Sequence, residues 1–147
     1  NVDDLHERAG STKILHLHGE LIKARSERYE DNIYTIGYAP IQLGQTCERG
    51  TQLRPHIVWF GEDVPMINTA TELVKQAEIL LVIGTSLNVY PAAGLLYHAP
   101  YDSRKYLVDP SENTTGQIYR LTHIQDLAGK AVPKLVEQLI AEYQSTQ

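Results

Sequence analysis

Six histidines, one cysteine and a scatter of carboxylates are the groups in this chain that can move protons or hold a metal. Their neighbours sort them. His18 is the one histidine that ends an apolar run beside a glycine, where an imidazole titrating near neutral pH can act as a general base. His16 alternates with it, and two histidines at that spacing on one strand are compatible with metal chelation without demanding it. With Cys47 the single cysteine and no third donor clustered in the sequence, no metal site is expected. His6, His56, His98 and His123 have no such constellation and read as satisfied or exposed side chains. Gly84-Thr85-Ser86 follows a second apolar run. Its glycine lets backbone approach a ligand and its hydroxyls suit ribose or phosphate, although such a tripeptide also makes an ordinary turn. Asp109 closes a third run, where a carboxylate can accept hydrogen bonds from a ribose diol.

These residues need strands to hold them. Lys13–Leu17, His56–Phe60, Glu78–Ile83 and Lys105–Val108 are near-continuous apolar runs, the pattern of strands covered on both faces. Helices are expected between and after them. Ile67, Ala70, Val74 and Ala77 make one apolar face over 67–77, and Pro91 opens a helix running to about Ala99. Val132, Leu135, Val136, Leu139, Ile140 and Tyr143 form the stripe of a last helix with Pro133 near its start. The alternation predicts an α/β protein with a Rossmann-like parallel sheet and helices on both faces. In such a sheet ligands sit beyond the carboxyl ends of the strands, which singles out His18-Gly19, Gly61-Glu62, Gly84–Ser86 and Asp109. Residues 20–54 lack sustained periodicity and carry Gly37, Gly44 and Gly50. They read as a small inserted module, leaving 1–19 and 55–147 to the larger domain.

A net charge of −5, with the 13 Lys and Arg scattered, argues against a nucleic-acid or anionic-membrane partner. The longest apolar run is strand-sized, too short to span a bilayer. A lone cysteine and the absence of a signal peptide fit a reducing, cytoplasmic setting. The chain opens on Asn1 in a charged run with no initiator Met and reads as incomplete at that end.

Five segments, in order and at the right approximate spacing, resemble the sirtuin family: NVDDLHERAG (1–10), HLHGEL (16–21), LRPHIVWFGEDVP (53–65), IGTSLNVYPAAGL (83–95) and LVDP (107–110). The likeness extends to IQDLAGKAVPKLVEQL (124–139), so it covers the chain almost end to end. It implies an NAD-dependent protein-lysine deacylase, in which the acyl oxygen of a modified lysine attacks the ribose as nicotinamide leaves. An alkylimidate then collapses to free lysine and O-acyl-ADP-ribose. His18 matches the catalytic base that deprotonates a ribose hydroxyl. Asn1 and Asp3 match the Asn-x-Asp placed against the nicotinamide ribose and carboxamide. Gly84, Thr85 and Ser86 match the dinucleotide-contacting turn, and Asp109 stands where the family usually has Asn facing the adenine ribose. Ala128 falls at a backbone contact to adenine.

The substrate side maps too. Val58, Trp59 and Phe60 match the stretch lining the acyl-lysine tunnel, with the Val58 carbonyl accepting the lysine amide hydrogen; plain core packing of Trp59 and Phe60 is compatible with that role. Gly61-Glu62 and Asn88-Val89 match two edges between which the substrate peptide pairs as an added strand. The resemblance also marks two departures. Where most members bind a structural zinc with two CxxC pairs, this chain has Ser26 and Tyr29 in place of the first and only Cys47 of the second. No zinc is therefore expected, and Tyr29, Tyr34 and Tyr38 are candidates to replace a metal core by packing. The family's Gly-rich pyrophosphate loop precedes the matching region and is not in this sequence. HGELIKARS leans toward the desuccinylase-like, zinc-less bacterial branch. Two other functions compete with the deacylase: a mono-ADP-ribosyltransferase, and a non-catalytic NAD or ADP-ribose binding module. His18 together with the Val58–Glu62 segment favours the deacylase, since neither alternative needs both a base and an acyl-lysine tunnel.

Overall fold

The computed structural model describes residues 1–112 and 118–146, which form two compact units, Asn1–Asn68 and Thr69–Gln147. In the first unit a short helix α1 (Leu5–Arg8) leads through a loop to an antiparallel three-stranded sheet, order β2-β1-β3. Its strands are β1 (Gly19–Ser26), β2 (Ile33–Thr35) and β3 (Leu53–Ile57). β1 is central, pairing Ala24 with Tyr34 on one side and with Pro55 on the other. The register with β3 shifts between Glu20 and Ala24, so that Leu21, Ile22 and Lys23 have no β3 partner.

The second unit holds β4 (Ile79–Ile83), β5 (Arg104–Val108) and β6 (Leu121–Ile124), all parallel and in that order. Around them lie a 3₁₀ segment over Ala92–His98 and the helix α3 (Ala128–Ser145). Period-two alternation gives this sheet two buried faces. Leu80, Val82, Leu107 and Leu121 pack with Ala93 and Leu96 of the 3₁₀ segment. Leu81, Tyr106, Val108 and Ile124 pack with Ala131 and Leu135 of α3. Lys105 lies buried in β5 because its ammonium donates to the carbonyls of Pro100 and Ser103 at 2.8 and 3.0 Å. α2 (Ile67–Val74) crosses the boundary between the units.

The α/β, Rossmann-like architecture expected from the sequence is present, with β4 and β5 where the apolar runs put them. Several elements differ. Lys13–Leu17 is not a strand: no described strand lies alongside to take its backbone hydrogen bonds, and the strand instead begins at Gly19. The run at His56–Phe60 is displaced, since pairing with β1 ends β3 at Ile57. The 67–77 helix stops at Val74, and the segment after Pro91 is 3₁₀, not α. α3 starts at Ala128, so Pro133 lies inside it, not at its start. Among the described residues, no helix is long and apolar enough to cross a membrane.

Candidate active site

In the first unit the hairpin-like approach of β1 to β3 fixes His18. Gly19 pairs with Ile57 at a φ of +81°, and a Cβ there would stand 2.1 Å from the His56 carbonyl oxygen. Only glycine permits that approach. One residue on, the His18 carbonyl accepts the Val58 N–H at 3.0 Å. His18 and the segment after β3 are thus tied by one backbone bond. His18 precedes β1 and does not follow a strand, contrary to the expectation from its sequence neighbours. From the other side, the Val2 carbonyl accepts the Leu21 N–H at 2.7 Å, bringing the Asn1–Asp3 arm onto the same strand. Asp3 Oδ1 accepts the Leu5 N–H at 3.1 Å, which orders the start of α1 and leaves Oδ2 available. Asn1 is exposed.

The six histidines now separate on geometry. The His18 ring is half-buried, makes no hydrogen bond within the described residues, and burial pushes its pKa below the ordinary value. His16 has its Nε2 2.5 Å from Glu7, within hydrogen-bond reach, and 3.7 Å from Glu20, so the ring is engaged. These three side chains could hold a metal ion by their spacing, a grouping with Glu7 and Glu20 invisible in the local sequence. Glu20 is already neutralised by Lys23 at 2.6 Å. His123 Nε2 lies 3.0 Å from the Asp109 carbonyl, and since a carbonyl only accepts, the ring donates. His56 Nδ1 is buried without a partner, and nothing among the described residues accounts for it. His6 and His98 are exposed.

Val58 to Glu62 forms the next part. The Val58 carbonyl has no partner among the described residues. Trp59 and Phe60 are 53% and 91% exposed, so core packing within this chain is not their role. Gly61 takes φ +89°, and the turn closes through a Glu62 N–H to Trp59 carbonyl bond of 3.0 Å. Glu62 Oε2 accepts the Trp59 N–H at 3.0 Å in return. Arg54 grips the same carboxylate with two nitrogens, at 2.6 and 3.1 Å, and Arg25 approaches at 3.4 Å. The Arg54 guanidinium and the Trp59 N–H hold the Glu62 carboxyl down at about 2. The clamp and its arginines leave no signal in the sequence; an arginine eight residues before a glutamate has no periodicity that pairs them. It lines a polar cavity of about 460 Å³ together with Glu27, Glu30 and Asp63. A larger, mostly apolar cavity of about 570 Å³, between Leu21, Ile36, Tyr38, Leu43 and Pro55, contains no residue expected from the sequence to be catalytic or to bind cofactor or substrate.

In the second unit the strand ends carry the expected groups. Gly84, at φ +67°, follows β4 and donates to the Val108 carbonyl at 2.9 Å. Thr85 Oγ1 accepts the Leu87 N–H and Ser86 Oγ accepts from Asn88 Nδ2, each at 3.1 Å, so the loop orders itself around two hydroxyls. Leu87 anchors it by packing into the core with Leu96 and Leu107. Asn88 and Val89 are exposed. Asp109 follows β5, nearly buried, and one carboxylate oxygen takes both the N–H and the hydroxyl of Ser111. That hydroxyl lowers the Asp109 pKa, keeping it an acceptor. Ala128 is the first residue of α3.

At the positions where the resemblance puts the zinc of most members, Ser26, Thr51 and Cys47 hydrogen-bond to one another. Ser26 Oγ accepts the N–H groups of Arg28 and Tyr29 at 3.1 and 2.9 Å and meets Thr51 Oγ1 at 2.6 Å. Thr51 Oγ1 meets Cys47 Sγ at 3.1 Å, and the Thr51 hydroxyl lowers that thiol to about 7. One thiol and two hydroxyls already bonded to each other do not fit a tetrahedral zinc. The tyrosines do not form the substitute core. Tyr29 stacks under Arg49 at 4.6 Å, Tyr34 bonds Glu48, and Tyr38 is exposed and bonds Asp4 at 2.8 Å.

Comparison with known proteins identifies the family. Residues 1–91 match the Sir2 family. A protein of Helicobacter pylori named NAD-dependent protein deacylase is 48% identical over 140 residues, 95% of this chain and 61% of its own. Its namesake in Bacteroides thetaiotaomicron is 47% identical over 145 residues, 95% of this chain and 62% of its own. The chain thus spans about three fifths of the length of these relatives. A crystal structure of a Sir2 homolog–NAD complex superposes with a TM-score of 0.84 at 33% identity, covering 97% of this chain and 57% of that one. A Sir2 complex with an inhibitor, 2'-O-acetyl-ADP-ribose and a deacetylated p53-peptide gives 0.75 at 29% identity, over 94% and 61%. This chain belongs to the Sir2 family.

Proposed function

We propose that the full-length protein is an NAD-dependent protein-lysine deacylase that releases nicotinamide and O-acyl-ADP-ribose. One observation carries this: the half-buried His18 ring makes no hydrogen bond among the described residues, and its backbone carbonyl is bonded to the N–H of Val58, whose own carbonyl has no partner among them. A base and an amide-accepting carbonyl held together are what lysine deacylation at a ribose requires. His18 deprotonates the ribose hydroxyl, and the Val58 carbonyl takes the lysine amide hydrogen. Trp59 and Phe60, exposed and apolar, enclose the acyl chain. Gly61-Glu62 and Asn88-Val89 offer the edges on which peptide backbone pairs. Asn1 and Asp3 serve the nicotinamide end of NAD, Gly84, Thr85 and Ser86 the dinucleotide, and Asp109 and Ala128 the adenosine end. The second oxygen of Asp3, without a partner among the described residues, and the lowered pKa of Asp109 support those assignments. Residues 20–54 act as a small module on a domain made of 1–19 and 55–147.

NAD is a co-substrate and zinc is not required; HGELIKARS leans toward the desuccinylase-like branch. Acyl-lysine protein is the partner, not nucleic acid or membrane, and the setting is the cytoplasm; the charge of −5 and the single cysteine support both. Mass spectrometry of the full-length protein with NAD and acetyl-, succinyl- and longer-acyl-lysine peptides tests this. Free lysine peptide with equal nicotinamide and O-acyl-ADP-ribose is the expected result. Untouched peptide, with ADP-ribose on protein or nowhere, supports the transferase or the binding module instead.

A further inference from the structure

We infer that Arg54 and Glu62 are positioning residues for the acylated peptide: their clamp freezes the Trp59–Glu62 turn in the shape that lets peptide backbone add to it. The inference rests on the deacylase reading above and adds to it a peptide-affinity device in side chains that touch no substrate.

The turn is pinned at both ends. At one end Val58 donates to His18 at 3.0 Å, and Arg54 Nη2 donates to the Ile57 carbonyl at 3.3 Å. At the other, the Glu62 carboxylate takes the Trp59 N–H, both nitrogens of the Arg54 fork and one of Arg25. Between these anchors the backbone groups of Phe60 and Gly61 have no partner among the described residues. Those are the groups an added strand needs. The Glu62 carboxylate is itself spent on the clamp, so its contribution to a peptide is order, not contact. Strand addition to an edge that is already ordered avoids the entropy of ordering it on binding, and affinity rises accordingly. The fork matters as well as the charge, because a bidentate guanidinium fixes orientation where an ammonium would not.

The experiment uses the full-length protein and its Glu62→Gln and Arg54→Lys variants. Affinity for a labelled acetyl-lysine peptide is read by fluorescence anisotropy, alongside KM for peptide and for NAD. Loss of charge-assisted bonds of this kind predicts peptide Kd and KM higher by about 10-fold or more in Glu62→Gln, with KM for NAD moving less than about 2-fold. Arg54→Lys retains the charge and falls between that variant and the parent. Should Glu62→Gln fail to fold by its thermal transition, the Arg54→Lys result decides. Unchanged peptide affinity in a folded variant, or equal changes in both KM values, overturns the inference while leaving the deacylase reading intact. A parent protein that neither binds nor consumes acyl-lysine peptide overturns both.

Discussion

His18 is burdened by its surroundings in a way that suits a base. Burial disfavours its charged form, so its pKa lies below the 6.5 of a free imidazole and the ring is neutral at pH 7. The acid limb of kcat/KM, which reports the free enzyme, should therefore fall below pH 6.5; a limb at or above that value would contradict the assignment. Stability has the same sign. As pH falls below about 6.5 the unfolded chain takes up its proton first, so the folded state loses stability until the lower folded pKa is reached. His56, also lowered by burial, adds to that loss. Glu62 acts later: its carboxylate, held at about 2, stabilises the fold above its unfolded pKa of about 4.3 and loses that contribution as pH falls toward about 2. Beside His18, Gly19 combines a left-handed backbone with a 2.1 Å approach of a would-be Cβ to the His56 carbonyl. Gly19→Ala should cost about 1–3 kcal/mol from the backbone alone, with the collision adding to it, measured by urea unfolding. A midpoint equal to the parent's would show that the β1–β3 approach can relax.

At the scale of elements, what composition could reveal was revealed unevenly. β4 and β5 were legible because burial on both faces makes their sequences continuously apolar. β1 was not, because GELIKARS interleaves charge with apolar residues and its register shift against β3 breaks strict alternation. KILHL carries strand composition but has no described neighbour to pair with, and pairing, not composition, makes a strand. β6 is only four residues long, and α3 begins on Ala128-Gly129-Lys130 with no side-chain cap, so Pro133 was the first visible boundary. Strand-end chemistry at Gly84 and Asp109 could be read from the sequence, since each directly follows an apolar run. The Arg54–Glu62 clamp and the Ser26–Thr51–Cys47 knot could not, because side chains 8, 25 and 4 residues apart meet through tertiary pairing of β1, β3 and the loop before it. The knot has its own consequence. Chelators should leave the thermal midpoint of the protein unchanged, whereas unfolding on chelation, or stoichiometric zinc by elemental analysis, would contradict a hydrogen-bonded replacement for the metal.

For the whole molecule, family membership and the chemistry proposed here have different foundations. Membership follows from the match over residues 1–91 and from the deacylase relatives at 47–48% identity. Because this chain spans about three fifths of those relatives, activity belongs to the full-length protein and must be measured there. Within the chain, the two units divide the proposed labour. On the proposed assignments the first would hold the base, the Asn1–Asp3 arm and the Gly61-Glu62 peptide edge, and the second the strand-end loops for the dinucleotide and the Asn88-Val89 edge. That division gives the most direct test of the central claim. In the full-length protein, His18→Ala should reduce deacylation of an acyl-lysine peptide by about 10²–10⁴-fold while NAD affinity, measured by calorimetry, stays within a few-fold of the parent. Full deacylation by that variant, or loss of NAD binding in step with activity, would contradict His18 as the base.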